Sequence, residues 1–233
     1  SQAWFQLGET LYDLGQYDEA LEATGKAVDR DPDLTTAWFT RGMAYNRLGR
    51  YGEAVGAFRK VLAKDRGHAL AWYNMGWAER ELRLYGEAVE AFDEAIRVDP
   101  RDAGSWYNRG LALFTLARFV ESVTSFERAL EIDPLDVTAL LNRGIALVKV
   151  GKQADGIECF DRVLDMDFRN TIAWVQKGKA MAIMGKGREA IELFEKALAL
   201  NPGDPEAWLH KGLALAGLDQ KDQALAAYDR ALE

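Results

Sequence analysis

The sequence predicts an all-α protein built from tandem antiparallel helix pairs, and three observations carry that prediction. Trp4, Trp38, Trp72, Trp106, Trp174 and Trp208 fall on one phase of a 34-residue ruler, with Leu140 in the remaining slot. Four residues after each comes glycine: Gly8, Gly42, Gly76, Gly110, Gly144, Gly178 and Gly212. Inside each period the apolar residues recur at helical spacing, as in Trp106, Leu111, Leu113 and Phe114, then Val123, Phe126 and Leu130 after a short turn. Glycine makes up 21 of the 233 residues, so seven hits on one phase by chance have odds of about two in a million with every phase allowed. The periods are 1–34, 35–68, 69–102, 103–136, 137–170, 171–204 and an incomplete 205–233, with no insertion between them. No linker is visible, and one elongated domain over 1–233 is expected.

Within a period, helix A is expected from about position 1 to 14 and helix B from about 18 to 30. Asp102, Asp136, Asn170 and Asp204 stand just before helix A, where a side-chain oxygen can cap exposed amides. Pro205 takes the first helical position, where its missing donor costs nothing. Gly15, Gly49, Gly151 and Gly185 stand where helix A must end in a left-handed turn. The glycines inside helix A each cost about 1 kcal/mol relative to Ala. Close approach of helix B is the expected compensation, with the missing Cβ facing the small residue of helix B. Each hairpin is apolar on more than one face, so it must stack on its neighbours, and stacking in constant register gives a superhelix with a concave side.

Composition excludes several functions. The hydrophobic fraction of 48% is that of a folded protein, and no run of about 18 apolar residues is present to span a membrane. The net charge of -8 argues against a nucleic-acid partner. One Cys (Cys159) and two His (His68, His210) leave neither an internal disulfide nor a zinc constellation. Lys186 is followed by Gly187, so the nearby glycines form no phosphate loop, and no nucleophile or metalloprotease motif occurs. No catalytic residue, metal or cofactor is expected, and the protein is not expected to be an enzyme.

The period resembles the tetratricopeptide repeat (TPR): W-x-x-x-G, a small residue twelve positions after the Gly, an aromatic four further on, then Ala and Pro. The small slot reads Ala20, Ala54, Ala88, Ser122, Gly156, Ala190 and Ala224; the aromatic slot reads Phe58, Phe92, Phe126, Phe160, Phe194 and Tyr228, with Thr24 departing. Pro32, Pro100, Pro134 and Pro202 close four periods, while Arg66 and Phe168 depart. The basic residue before the Gly (Arg41, Arg109, Arg143, Lys177, Lys211) is similar to that of archaeal or bacterial members. The resemblance implies a right-handed superhelical solenoid of antiparallel helix pairs, with helices A lining the concave surface and a protein or peptide partner in that groove. It does not extend to the clamp for chaperone tails, since no period has Lys at position 5 or Asn at position 9.

The implied groove residues follow from the register. Position 6 holds Gln6, Thr40, Asn74, Asn108, Asn142, Gln176 and His210, where consecutive Asn amides could both donate to and accept from an extended peptide. Position 5 begins Phe5, Phe39, Tyr73 and Tyr107, either as groove walls or as buttresses of the adjacent helix A. Trp77 is the one Trp off the structural phase, and with Arg80 close by it has the composition of an interaction hot spot. The basic residues at position 7 are expected to reach carboxylates on helices B, such as Glu127 and Asp161.

The fifth period is the most divergent, with Leu140, Gly156 and Phe168 in the Trp, small and Pro slots, and looser packing is expected there. The chain opens on Ser1 rather than Met and stops inside the seventh helix B with Leu225 and Leu232 uncovered. End-to-end self-association is therefore the alternative function, no membrane partner is expected, and the expected location is cytoplasmic.

Overall fold

The computed structural model describes residues 1–233 and contains α-helices and no strand. They fall into two compact units, Ser1–Arg118 and Phe119–Glu233. The first holds α1 (Gln2–Asp13), α2 (Tyr17–Arg30), α3 (Thr35–Arg47), α4 (Tyr51–Lys64), α5 (Ala69–Glu81), α6 (Tyr85–Val98) and α7 (Ala103–Thr115). The second holds α8 (Phe119–Ile132), α9 (Val137–Lys149), α10 (Gln153–Met166), α11 (Thr171–Ile183), α12 (Gly187–Leu200), α13 (Pro205–Gly217) and α14 (Lys221–Leu232). Odd helices are the A helices of the repeats and even helices the B helices, and each boundary lies within about a residue of its expected place.

In each unit every helix packs on the next, and each odd helix also touches the following odd helix: α1 to α3, α3 to α5 and α5 to α7, then α9 to α11 and α11 to α13. Even helices of a unit do not touch one another. Rows of different spacing on two sides of one stack force curvature, so the odd-helix face of each unit is its concave face.

Local chemistry explains where the helices begin and end. Asp102, Asp136, Asn170 and Asp204 cap α7, α9, α11 and α13 through their side-chain oxygens, as expected. His68 does the same for α5, its Nδ1 accepting from the Ala71 amide at 3.2 Å. At the A–B turn Gly15, Gly49, Gly151 and Gly185 take φ between 71° and 86°. Arg83, Ala117 and Asp219 hold the same slot at φ 62°, 58° and 60° without being glycine. The paired capping bonds outweigh the cost of a left-handed side chain there: Leu84 N–H donates to Glu79 O at 2.8 Å and Arg83 N–H to Arg80 O at 2.9 Å.

The mid-helix glycines face a different partner from the one expected. A Cβ on Gly42 would fall 2.6 Å from the Phe58 ring, on Gly144 2.6 Å from Phe160, on Gly178 2.6 Å from Phe194 and on Gly212 2.5 Å from Tyr228. The glycine thus clears the space that an aromatic ring of helix B fills, and the small residue is secondary, approaching through its carbonyl at Gly8 and Gly76. Phe58, Phe92, Phe126, Phe160 and Phe194 are fully buried. Burial of such a ring is worth about 1.5–3 kcal/mol, which exceeds the cost of one glycine. In the fifth repeat Leu140, Cys159, Phe160 and Val163 are buried, and Gly156 lies so close to α9 that a Cβ would come within 2.9 Å of Gly144 O.

The phased Trp residues act through their indole N–H. Trp38 donates to Pro32 O at 2.9 Å, Trp72 to Arg66 O at 3.0 Å, Trp106 to Pro100 O at 3.1 Å, Trp174 to Phe168 O at 2.9 Å and Trp208 to Pro202 O at 2.8 Å. The carbonyl and not the pyrrolidine ring is used, so Arg66 and Phe168 serve in the Pro slot. Leu140 has no such donor, and Arg162 Nη2 reaches the Pro134 carbonyl instead, at 3.2 Å.

Four of the five basic residues at position 7 pair with helices B sixteen residues earlier, while Arg41, facing Gly25 there, donates to Leu21 O at 3.0 Å. Arg109 Nε meets Asp93 at 2.6 Å, Arg143 Nη2 meets Glu127 at 2.8 Å, Lys211 meets Glu195 at 2.8 Å, and Lys177 pairs with Asp161. These stems are largely covered while the carboxylates stay in water, and each pair contributes at most about 1 kcal/mol.

Candidate functional site

On the concave face of the first unit, α3 contributes Met43, Asn46 and Arg47, and α5 contributes Tyr73, Asn74 and Trp77. Spacings of three and four residues put each set on one side of its helix. Together they line a cavity of about 290 Å³. Trp77 stands edge-on to Tyr51, ring centroids 5.5 Å apart, and packs with Tyr73 against Val89, Phe92 and Leu113. Asn46 Nδ2 donates to Asn74 O at 3.3 Å, while its Oδ1 is buried with no donor. An acceptor stripped of water and unpaired costs about 1–3 kcal/mol. Arg47 Nε is held by Tyr12 Oη at 3.3 Å.

A polar network joins α5 to α7. Arg80 Nη1 donates to Asn108 Oδ1 at 2.5 Å and Arg80 Nη2 meets Glu81 at 2.9 Å. Asn108 Nδ2 donates to Gly104 O at 2.9 Å and to Tyr73 Oη at 3.3 Å. Burial, and then the Asp102 carboxylate, push the Tyr73 phenol above its ordinary value and keep it neutral. Arg80 and Tyr73 are thereby fixed in place.

The expected surface residues are not all at the surface. Phe5 lies in the core with Ala27, Val28 and Ala37. Thr40 and Asn108 are buried too, and both N–H groups of Asn108 are spent inside the unit. Position 5 turns toward the paired helix B, as Phe5 does on Ala27 and Val28 and Phe39 on Phe58, while Asn108 at position 6 is closed off by Tyr73 and Arg80 of the preceding odd helix. Phe39 packs on Phe58 and His68, and Tyr107 is half-buried. Gln6 is exposed and Asn74 half-exposed, the latter returning one N–H to Leu70 O at 2.7 Å. Met43, Asn46 and Arg47 were missed by the position-5 and position-6 reasoning; they stand at positions 9, 12 and 13, and the slot of Asn46 varies freely, with Tyr12, Arg80, Phe114, Val148, Ala182 and Ala216 elsewhere.

The second unit has a different concave face. Asn142 donates to Thr138 O at 2.8 Å, and Gln176 lines a cavity of about 410 Å³ with Ile145, Lys149 and Ile183. A neighbouring cavity of about 440 Å³ is walled by Ile183, Phe194, Leu213 and Leu218, with His210 and Lys179 at its edge. Lys179 pairs with Glu206 at 2.8 Å. Burial, aided by the Lys179 charge, lowers the His210 pKa, so the ring is neutral near pH 7. This face is lined mainly by aliphatic side chains, whereas that of the first unit carries aromatic and amide groups.

No group of three or more His, Cys, Asp or Glu is placed to hold a metal ion, and no helix is long and apolar enough to cross a membrane. The buried Cys159 thiol, its pKa raised by desolvation, accepts from Arg143 at 3.2 Å as a packing group.

Solved structures share this architecture. The C-terminal part of a TPR repeat-containing protein from Cytophaga hutchinsonii is 17% identical at a TM-score of 0.81, over 98% of this chain and 94% of that one. MamA from Desulfovibrio magneticus is 21% identical at a TM-score of 0.66, over 72% and 94%. YrrB, a TPR protein with an unusual peptide-binding site, is 22% identical at a TM-score of 0.63, over 76% and 92%. The likeness is one of fold, an all-α solenoid of antiparallel helix pairs. No match is found among curated protein sequences. The tetratricopeptide repeat family profile matches residues 5–69, 73–137 and 184–233, well over half of the sequence. Together with the phased Trp and Gly and the ring-into-glycine packing, this match establishes that the chain belongs to the tetratricopeptide repeat family.

Proposed function

We propose that the protein is a non-enzymatic interaction scaffold that holds an extended segment of a partner protein against the concave face of its first unit. The observation that carries this reading is the α3–α5 cavity, walled by the Trp77 and Tyr73 rings and lined by the Asn46 and Asn74 side chains. An extended backbone can pair with a half-exposed amide such as that of Asn74, and its side chains gain contact area from rigid rings at low entropic cost. YrrB, with its peptide-binding site, supports the same use of this fold. Gln6 in the first unit, and Asn142, Gln176 and His210 in the second, are proposed as further contacts, each on its own unit, and the unbroken 34-residue register supports one array over residues 1–233. A peptide array probed with wild type and with Trp77→Ala tests the reading. Spots bright with the first and dark with the second support it; identical patterns overturn it.

A second reading is end-to-end assembly, favoured by the exposed Leu225 and Leu232 on α14. Light scattering that grows with concentration in wild type and not in Leu225→Glu would support it.

A further inference from the structure

On the opposite face of α5, Trp72, Met75 and Glu79 join Arg59 of α4 and Glu87, Glu90, Asp93 and Glu94 of α6 around a second cavity, of about 460 Å³. Glu79 forms its floor. Its side chain is about 3% exposed, and Oε2 is buried with no hydrogen-bond partner. The one nearby cation is Arg59, whose Nη2 stands 3.6 Å from Oε1, beyond hydrogen-bonding reach, with most of its side chain in water. A carboxylate in such a place is costly unless a cation meets it.

The other repeats show what this level has exchanged. The slot of Glu79 holds Leu11, Tyr45, Leu113, Leu147, Met181 and Leu215 elsewhere. The slot of Met75 holds Arg41, Arg109, Arg143, Lys177 and Lys211 in five repeats, and four of these pair with the carboxylate sixteen residues earlier. At α5 that cation is withdrawn, a carboxylate stands in the core instead, and Arg59 occupies the slot where Asp93, Glu127, Asp161 and Glu195 stand elsewhere. Asp93 and Glu94 are matched by Arg109 and Arg97, but Glu87 and Glu90 make no ion pair. The cavity therefore gathers three carboxylates, Glu79, Glu87 and Glu90, beside one largely solvated guanidinium.

We propose that this cavity is a binding site for a monovalent organic cation, a guanidinium or primary ammonium on an aliphatic stem, with the charged head on Glu79 and the stem along Met75 and the Trp72 ring. The volume far exceeds that of a metal ion, and no set of ligands for one is present. The Trp72 face adds cation–π attraction, since its indole N–H is already spent on Arg66 O. Burial raises the Glu79 pKa to about 7, with Glu87 and Glu90 raising it and Arg59 opposing them. A guest cation reverses that shift, so binding near neutral pH expels a proton. The site is independent of the concave-face reading and stands or falls without it.

Calorimetric titration near pH 7 in two buffers of different ionisation enthalpy tests this, with butylguanidine and with Nα-acetyl-arginine methylamide, both monovalent, as probes. The expected result is saturable binding of at least one probe with release of a fraction of a proton. Binding of butylguanidine alone identifies a free small cation as the guest, and binding of the capped arginine identifies a protein side chain. Glu79→Gln, of equal size, is expected to weaken binding roughly tenfold or more and to abolish proton release. Arg59→Gln removes a competing charge at an exposed position and is expected to bind at least as tightly as wild type. No binding of either probe to wild type or Arg59→Gln, or equal binding by a folded Glu79→Gln, overturns the proposal.

Discussion

The indole Nε1 of Trp72 donates to the main-chain carbonyl of Arg66, six residues earlier, at 3.0 Å. The bond ties the turn before an odd helix to that helix's first turn, and five of the seven repeats make it. Because the acceptor is main chain, the residue that carries it is free to vary. The turn at Asp65–His68 closes like that at Asp31–Leu34, with His68 N–H donating to Asp65 O as Leu34 N–H does to Asp31 O, and the Arg66 N–H takes part in no internal bond. Arg66→Pro is therefore expected to raise stability by about 0.4–1 kcal/mol by restricting the unfolded chain. Trp106→Phe, which deletes the bond in the next repeat, is expected to lose about 1 kcal/mol or somewhat more. Urea denaturation measures both.

Gly178 and Phe194 set up a test in which two effects oppose. Alanine is the better helix former by about 1 kcal/mol, but its Cβ would fall 2.6 Å from the Phe194 ring in a core without slack. Overpacking of this kind costs about 1–3 kcal/mol, so Gly178→Ala is expected to be neutral to destabilising by about 2 kcal/mol. A clear gain in melting temperature would show that helix propensity and not ring clearance selects the glycine.

The left-handed slot predicts opposite signs at two equivalent positions. Gly49 (φ 71°) and Arg83 (φ 62°) both end an odd helix. Gly49→Ala is expected to cost about 1 kcal/mol, while Arg83→Gly is expected to gain a few tenths, since relief of strain slightly exceeds the added freedom of the unfolded chain. Equal and opposite midpoints in urea are not required; the sign of each shift is.

Glu79 makes stability depend on pH in an unusual direction. Its folded pKa is raised to about 7, above the ordinary carboxylate value of 4.5. Between those values the folded chain holds the proton more tightly, so this group's contribution falls as pH rises and the full penalty is present above about pH 7. The penalty is on the order of 3 kcal/mol. Glu79→Gln is therefore expected to match wild type near pH 4 and to exceed it above pH 7, and the difference between the two unfolding curves against pH isolates this residue. A difference that is flat with pH would contradict the burial argument.

How much of this was legible in the sequence follows from the range of each interaction. Phase alone locates the helix pairs, and short-range chemistry locates the caps at Asp102, Asp136, Asn170 and Asp204. The left-handed turn was legible at Gly49 but hidden at Arg83, because two main-chain hydrogen bonds hold the turn whatever the side chain. The partner of the mid-helix glycines was misassigned to the small residue because periodicity places a slot on a face without saying how far a ring four residues on will reach. At the candidate site, Trp77, Tyr73 and Asn74 could be picked out by register. The burial of Phe5 and Thr40, the internal use of Asn108 and the unpaired Asn46 Oδ1 depend on how neighbouring helices close over each side chain, which register alone does not encode.

The central claim is that the α3–α5 cavity and its Trp77 wall hold a partner segment. The most direct measurement is the calorimetric affinity of an array-selected peptide for wild type and for Trp77→Ala, with circular dichroism confirming that both are helical. An indole at the centre of such a contact is worth about 2 kcal/mol or more, so roughly a thirtyfold loss of affinity is expected at an unchanged helical signal. Equal affinity of the two proteins for that peptide would contradict the account.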